Sequence, residues 1–423
     1  MPQNGSVMMT AFKRRIFFTM TNETTIAFIG LYCLAVVMGY GRFLFTATLP
    51  DIMSQLSLST TIVGWLASIN YIGYFIGALI AMFVPQRSTW QAMMVWTIIS
   101  VLTTMLLAIS NLSLNLWYMI RLLAGIASGV AMILSSSFVI ERLSTARRPV
   151  LSALHYAGIG VGISASAILT WWLLVLGYHF DTIWLVAGIS GLPLLWLLWV
   201  IKPHTPNSHH LPHPSSHLSL YQTYLSFKQA LYEAVAGQHK AIALLLSSYV
   251  LAGFGYITSA TFLPVMATQR LTTQTHTGLI VWLVVGIFAM LSNPLWGALA
   301  KRVGEIKTLI GLTSLQALGM CLPIWFENAI GLYGNAAILG LTFVGMVSMT
   351  LNLIKNINPA YSNLLIGLAT LAYALGQFLG PLVTVALAGQ EGNFNAGLLV
   401  ATIGLGIGVI LLLLFRRQSA MHP

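Results

Sequence analysis

Two arginines stand in stretches of sequence where a charge is costly. Arg42 lies in Gly39-Tyr-Gly41-Arg42-Phe-Leu-Phe-Thr-Ala-Thr-Leu49-Pro50, and Arg121 opens Arg121-Leu-Leu-Ala-Gly125-Ile-Ala-Ser-Gly129. A guanidinium offers a planar fork of five donors that fits a carboxylate, sulfonate or phosphate. Ionisable groups inside long apolar runs mark functional candidates by default. The plainer alternative for each is a bond to carbonyls at a helix break, or a side chain that reaches out to the surface. No Asp or Glu lies at comparable depth in any apolar run. The missing counter-ion leans the expected ligand toward a small organic anion.

Other polar residues share these runs. Asn70, Tyr71, Tyr74, Tyr156, Tyr256, Tyr373 and Gln377 are candidates to line a cavity with the arginines, and each also suits an interhelical hydrogen bond. Histidine is the side chain whose ordinary pKa lies near neutral pH, which makes His155 the candidate for proton coupling, with a packing role as its alternative. Asp51, Glu141, Lys301 and Arg302 sit at the ends of runs, where coupling or gating roles are expected. There is no G-x-S-x-G, no H-E-x-x-H and no phosphate loop followed by lysine, so no enzyme and no cofactor is expected. Nor is a metal: Cys33 and Cys321 stand alone in opposite halves. His204, His209, His210, His213 and His217 fall in a proline-broken stretch that reads as solvated linker.

The elements that position these residues follow from composition. Of 423 residues, 57% are hydrophobic and 6% charged, with a mean hydropathy of +0.86. A soluble domain carries about a quarter charged residues. Lipid must therefore be the main solvent. Spanning a bilayer takes about 20 mostly apolar residues. Twelve runs qualify, at 26–49, 61–83, 91–110, 115–140, 149–176, 182–201, 241–267, 277–300, 308–326, 330–354, 360–388 and 395–415. They form halves at 26–201 and 241–415, flanked by segments 1–25 and 416–423. The linker 202–240 carries an amphipathic stretch, Leu220–Val235, expected to lie on the membrane surface. The expected fold is all-α, with twelve transmembrane helices in two six-helix bundles.

The net charge of +11 is mostly topology. With the amino terminus inside, sixteen of the nineteen Lys and Arg residues face the cytoplasm and Arg270 alone faces out. That bias predicts a multi-pass protein of the inner (plasma) membrane with both termini cytoplasmic. It also turns the excess charge toward anionic lipid headgroups, which excludes a nucleic-acid partner.

The halves repeat one another. Gly39, Gly41, Leu49 and Pro50 match Gly253, Gly255, Leu263 and Pro264, with Tyr256 standing where Arg42 stands. Gly77, Leu79 and Arg87 match Gly297, Leu299 and Lys307, while Gly158 and Gly162 match Gly376 and Gly380. The pairs Gly73/Gly77, Gly125/Gly129 and Gly376/Gly380 permit close helix approach, and Pro50, Pro264, Pro294 and Pro381 are expected to bend or end helices. Parallel repeats of this kind suit two bundles rocking about a site near the bilayer midplane, related by a pseudo-two-fold axis.

These segments resemble the major facilitator superfamily over essentially the whole chain. Gly297-Ala-Leu-Ala-Lys301-Arg302-Val-Gly304-Glu-Ile-Lys307 is similar to its loop motif G-x-L-a-D-r-x-G-r-k, with Lys301 in place of the usual Asp and Ala81 in the other half's copy. That departure puts the family's usual charge-relay gate in doubt. Gly39–Pro50, Gly64–Tyr74, Arg121 with its glycines and Leu154–Gly160 are together similar to the YbfB/YjiJ-type branch. The resemblance implies a secondary transporter that works by alternating access, as a monomer, on a small-molecule substrate with protons as the candidate coupling ion. An exporter of amphipathic compounds is the alternative within transport. A non-transporting receptor or assembly protein is the alternative outside it.

Overall fold

The computed structural model describes residues 23–109, 111–200, 220–272, 276–389 and 392–421. Among them, twelve helices are long and apolar enough to cross a membrane. In chain order they are span one (Glu23–Leu56), two (Thr60–Met82), three (Thr89–Leu106), four (Leu114–Glu141), five (Arg148–Val175) and six (Phe180–Val200). Then follow seven (His239–Arg270), eight (Thr277–Val303), nine (Glu305–Trp325), ten (Ala329–Ile357), eleven (Leu364–Ala388) and twelve (Asn395–Gln418). A helix also covers Leu220–Val235 in the linker. The histidines from His204 to His217, the Lys13–Arg15 cluster and Glu391 lie outside the described residues.

Helices dominate because every backbone amide at membrane depth must find its partner within its own segment. Their ends show ordinary capping. Ser59 Oγ accepts from Ile62 N at the start of span two, and Asn328 Oδ1 accepts from Ile330 N and Gly331 N at the start of span ten. Gly304, the second glycine of the loop motif, closes span eight with φ of 93°, a conformation that suits glycine best.

The prolines expected to bend or end helices do not end them. Pro50, Pro264, Pro294 and Pro381 all lie inside helices, and span one runs on past Pro50 to Leu56. A proline forfeits one backbone bond, and its neighbours carry the helix through. The interruption falls instead in span six, between Ser190 and Leu192, where Gly191 is followed by Pro193.

Within the first bundle, span two lies directly on span four and span one on span five. A Cβ added to Gly73 or Gly77 would come within 2.4 Å of the Leu122 or Ile126 carbonyl, and one on Gly158 within 2.2 Å of the Leu31 carbonyl. The second bundle repeats the design, with Gly376 against the Val250 carbonyl of span seven and Gly340 against the Val285 carbonyl of span eight. Those glycine pairs therefore seal helices inside each bundle. The seam between bundles uses others. Gly160 of span five meets Gly286 and Met290 of span eight. Span two meets span eleven at Gly64 with Val385 near one membrane face and at Met82 with Gly367 near the other. Span five is the repeat counterpart of span eleven and span eight that of span two, so the five–eight and eleven–two seams are related by the same pseudo-two-fold axis.

Candidate functional site

Span one changes its winding before it reaches Arg42. Ala35–Phe43 is a nine-residue π-helix set between α-helical turns. Wider turns of this kind often occur at functional positions. Inside it, a Cβ on Gly39 would sit 2.3 Å from Gly162 Cα, and one on Gly41 would sit 2.5 Å from Ser100 Oγ. Both glycines are thus pressed against their own bundle. Arg42 points the other way, to the seam.

There Arg42 is almost wholly buried at 3% exposure. Its Nη2 donates to Gln377 Oε1 of span eleven at 2.7 Å, across the two bundles. Its guanidinium carbon lies 4.3 Å from the ring centre of Tyr74, 4.7 Å from that of Tyr71 and 5.5 Å from that of Phe43. Desolvated cation–π contacts contribute up to about 2 kcal/mol, which offsets part of the cost of burying the charge. Among the described residues no carboxylate forms an ion pair with it, and its Nε has no hydrogen-bond partner. The Tyr71 hydroxyl makes a second, longer cross-bundle contact, 3.5 Å from Thr261 Oγ1 of span seven.

Facing Arg42, the second bundle presents a column of rings. Tyr256 stacks on Phe343 at 4.9 Å and on Tyr373 at 5.9 Å, and Tyr373 stacks on Tyr249 at 4.5 Å. The Tyr74 hydroxyl donates to Met132 Sδ at 3.0 Å, and Tyr156 lies within electrostatic reach of Tyr74 and Tyr249. Seven residues singled out in the sequence thus share one neighbourhood: Arg42, Tyr71, Tyr74, Tyr156, Tyr256, Tyr373 and Gln377.

Arg121 and Asn70 form a separate lock between spans two and four. Arg121 Nε donates to the Leu66 carbonyl at 3.2 Å, while Asn70 Nδ2 donates to the Arg121 carbonyl at 2.9 Å. The Arg121 guanidinium lies 4.1 Å from the ring centre of Phe45. It remains within electrostatic reach of Arg42 and Tyr71 without touching their cluster.

His155 is fully buried between spans one, four and five. Its Nε2 is 3.1 Å from Ser136 Oγ, and Gly30 leaves room for the ring, since a Cβ there would come within 2.4 Å of Nδ1. The ring packs 5.0 Å from Tyr156, its nearest link to the seam.

The remaining candidates lie at membrane faces, away from Arg42. Asp51 Oδ2 accepts from Phe180 N at 2.8 Å and so ties span one to the start of span six. Glu141 accepts from Ser137 Oγ at 2.7 Å. Lys301 and Arg302 are exposed at the end of span eight. Asn293, the asparagine of span eight, makes an interhelical bond, accepting from Ser348 Oγ at 2.7 Å.

Several residues of the seam escaped the sequence. Tyr249 was within reach of it, because Tyr249 and Tyr256 are seven apart and so share a helix face. Phe43, Thr261, Trp282 and Phe343 carry no such signal in an apolar background, and the π-helical winding carries none either.

With this geometry, comparisons with known proteins can be weighed. Residues 34–413 match the family described as "Uncharacterised MFS-type transporter YbfB". The chain is similar to the uncharacterized MFS-type transporter YceJ of Bacillus subtilis (strain 168), with 23% identity over 371 residues, 85% of this chain and 88% of that protein. A crystal structure of a variant of the nucleoside transporter NupG superposes with a TM-score of 0.70 at 15% identity, covering 95% of this chain and 100% of that one. At that identity the likeness concerns the fold.

Proposed function

This chain belongs to the YbfB-type family of MFS transporters, and on that premise we propose that it carries a small organic anion across the membrane by alternating access, with Arg42 as the anion's anchor. One observation carries the proposal: a buried guanidinium at the seam whose hydrogen-bonding partner is the neutral amide of Gln377, on the opposite bundle. With Gln377 only the donor of this bond is charged, worth about 1.5–3 kcal/mol, whereas with a carboxylate both partners are charged and the bond is shorter and stronger. A carboxylate entering the seam can also take two donors of the fork at once. It therefore displaces Gln377 with a net gain. Losing the Arg42–Gln377 bond frees one bundle from the other at the site itself, which is how ligand binding would be linked to rocking.

Tyr71, Tyr74, Tyr156, Tyr256 and Tyr373 would wall the site in this scheme. Arg121 would reinforce the positive potential from behind, while Asn70 holds the spans two and four that carry it. His155, one ring away through Tyr156, is the proposed proton site. Asp51, Glu141, Lys301 and Arg302 would act at the membrane faces. The distribution of cations supports insertion in the inner membrane with both ends cytoplasmic, and the proposed working unit is a monomer. Direction of transport follows from whichever gradients act.

Proteoliposomes loaded with a panel of labelled carboxylic acids test this. Uptake or counterflow of at least one acid is expected from the wild type, and none from Arg42→Gln. If acids move equally well through both, Arg42 is not the anchor. The column of rings favours a second reading, an exporter of amphipathic compounds. Transport of a neutral amphipath that survives Arg42→Gln would establish that reading instead.

A further inference from the structure

Beyond its charge, the part of the seam around Arg42 holds donors that lack acceptors. Three polar atoms around Arg42 have no hydrogen-bond partner: Arg42 Nε, Trp282 Nε1 and the Tyr373 hydroxyl. The first two can only donate. Trp282 belongs to span eight, is 1% exposed, and meets Phe43 of span one edge to face at 6.0 Å, so it stands one ring away from the guanidinium. Tyr373 lies on the other side, within electrostatic reach of Arg42. Buried donors without acceptors are rare enough in folded proteins to need an explanation. Here they lie on both sides of a charged anchor, next to aromatic rings of both bundles.

We infer that the cargo is a small aromatic carboxylate bearing a second oxygen on its ring, a hydroxylated aromatic acid being the simplest form. This rests on the anion reading of Arg42 and narrows it. The carboxylate takes the guanidinium fork. The ring enters between Tyr71 and Tyr74 on one side and Tyr256 and Tyr373 on the other, replacing contacts the two walls now make with the guanidinium and with each other. The ring oxygen then accepts from Trp282 Nε1 or exchanges a hydrogen bond with the Tyr373 hydroxyl. An aliphatic acid of the same size satisfies the anchor but gains nothing from the faces. Each aromatic contact is worth about two- to tenfold in affinity beyond its buried area.

Calorimetry on the full chain in nanodiscs, with 4-hydroxybenzoate, benzoate, cyclohexanecarboxylate and succinate as probes, tests the inference. The wild type should prefer benzoate to cyclohexanecarboxylate by about fivefold or more, and 4-hydroxybenzoate to benzoate by a similar factor. Trp282→Phe and Tyr373→Phe keep a ring and remove one polar atom. At least one of them should erase the gap between 4-hydroxybenzoate and benzoate, read as the ratio of the two affinities within the same variant. Melting curves on both variants separate a lost contact from a lost fold. If benzoate and cyclohexanecarboxylate bind alike, or only succinate binds, and binding still depends on Arg42, the aromatic inference is overturned and the anion reading stands. If no probe binds in an Arg42-dependent way, both are overturned. A preference for 4-hydroxybenzoate that persists in both variants removes Trp282 and Tyr373 from the site and overturns the hydroxyl part of the inference.

Discussion

Arg42 Nη2 and Gln377 Oε1 are 335 residues apart in sequence and 2.7 Å apart in space, one on each bundle. The bond pairs a cation with a neutral amide in a place that excludes water. On the proposed reading it holds the seam until an anion takes the place of Gln377. Four consequences can be measured.

Replacing Arg42 should separate charge from geometry. Arg42→Lys keeps the cation and loses the planar fork, so anion affinity should fall about ten- to a hundredfold, the worth of one or two charge-assisted bonds. Arg42→Gln should abolish it. A lysine variant that binds as tightly as the wild type in calorimetry would mean that only the charge matters, and one that binds no better than Arg42→Gln would mean that the fork is indispensable.

Gln377→Glu should act in the opposite sense. A carboxylate at this distance gives Arg42 a permanent partner and competes with the cargo. Anion binding should drop by at least about a hundredfold while the melting temperature holds or rises, because the buried cation is now neutralised. Retained binding with an unchanged affinity would refute competition at Gln377.

Two glycine substitutions distinguish packing inside a bundle from packing between bundles. A Cβ on Gly73 would meet the Leu122 carbonyl at 2.2 Å within the first bundle, so Gly73→Val should yield little folded protein. A Cβ on Gly286 would meet Ser164 Oγ at 2.4 Å across the seam. Gly286→Val should fold but hold the bundles apart. A cysteine introduced at Thr261 should then react with an impermeant maleimide at least about tenfold faster than in the Gly286 background, with transport lost. Slow labelling in both backgrounds would show that the five–eight seam does not control access.

The linker helix should stay docked through the neutral range. Glu233 accepts the Tyr361 hydroxyl and Gln229 Nε2, and Asn358 Nδ2 donates to the carbonyls of Glu233 and Ala234. The Tyr361 hydrogen bond, then that from Gln229, holds the Glu233 carboxyl below its ordinary value of 4.5. A carboxyl lowered in the folded state stabilises it above the unfolded value, and the benefit disappears as pH falls through the lower, folded one. Docking should therefore be independent of pH from about 6 to 8 and weaken only below the usual carboxylate range. Glu233→Ala should loosen it at neutral pH, seen as faster tryptic cleavage after Lys228. Undocking between pH 6 and 7 would point to another group.

The sequence by itself determined the solvent, the count of spans, the halves and the presence of a cation within span one. Those follow from local quantities, such as the apolar length a bilayer demands and the bias of Lys and Arg among loops. It also exposed the set of polar residues inside the spans. Which of them meet was decided by the tertiary structure. Arg42 joins Gln377 and the tyrosines, Arg121 and Asn70 lock two helices of one bundle, and the close approaches at Gly73, Gly77 and Gly376 fall within bundles. The π-helical turn and the donors of Trp282 and Tyr373 also became visible only there. A helix that is apolar all round carries little information about its own rotation. The direction in which a side chain points is fixed by partners hundreds of residues away, through contacts such as Gly39 on Gly162 and Gly160 on Gly286.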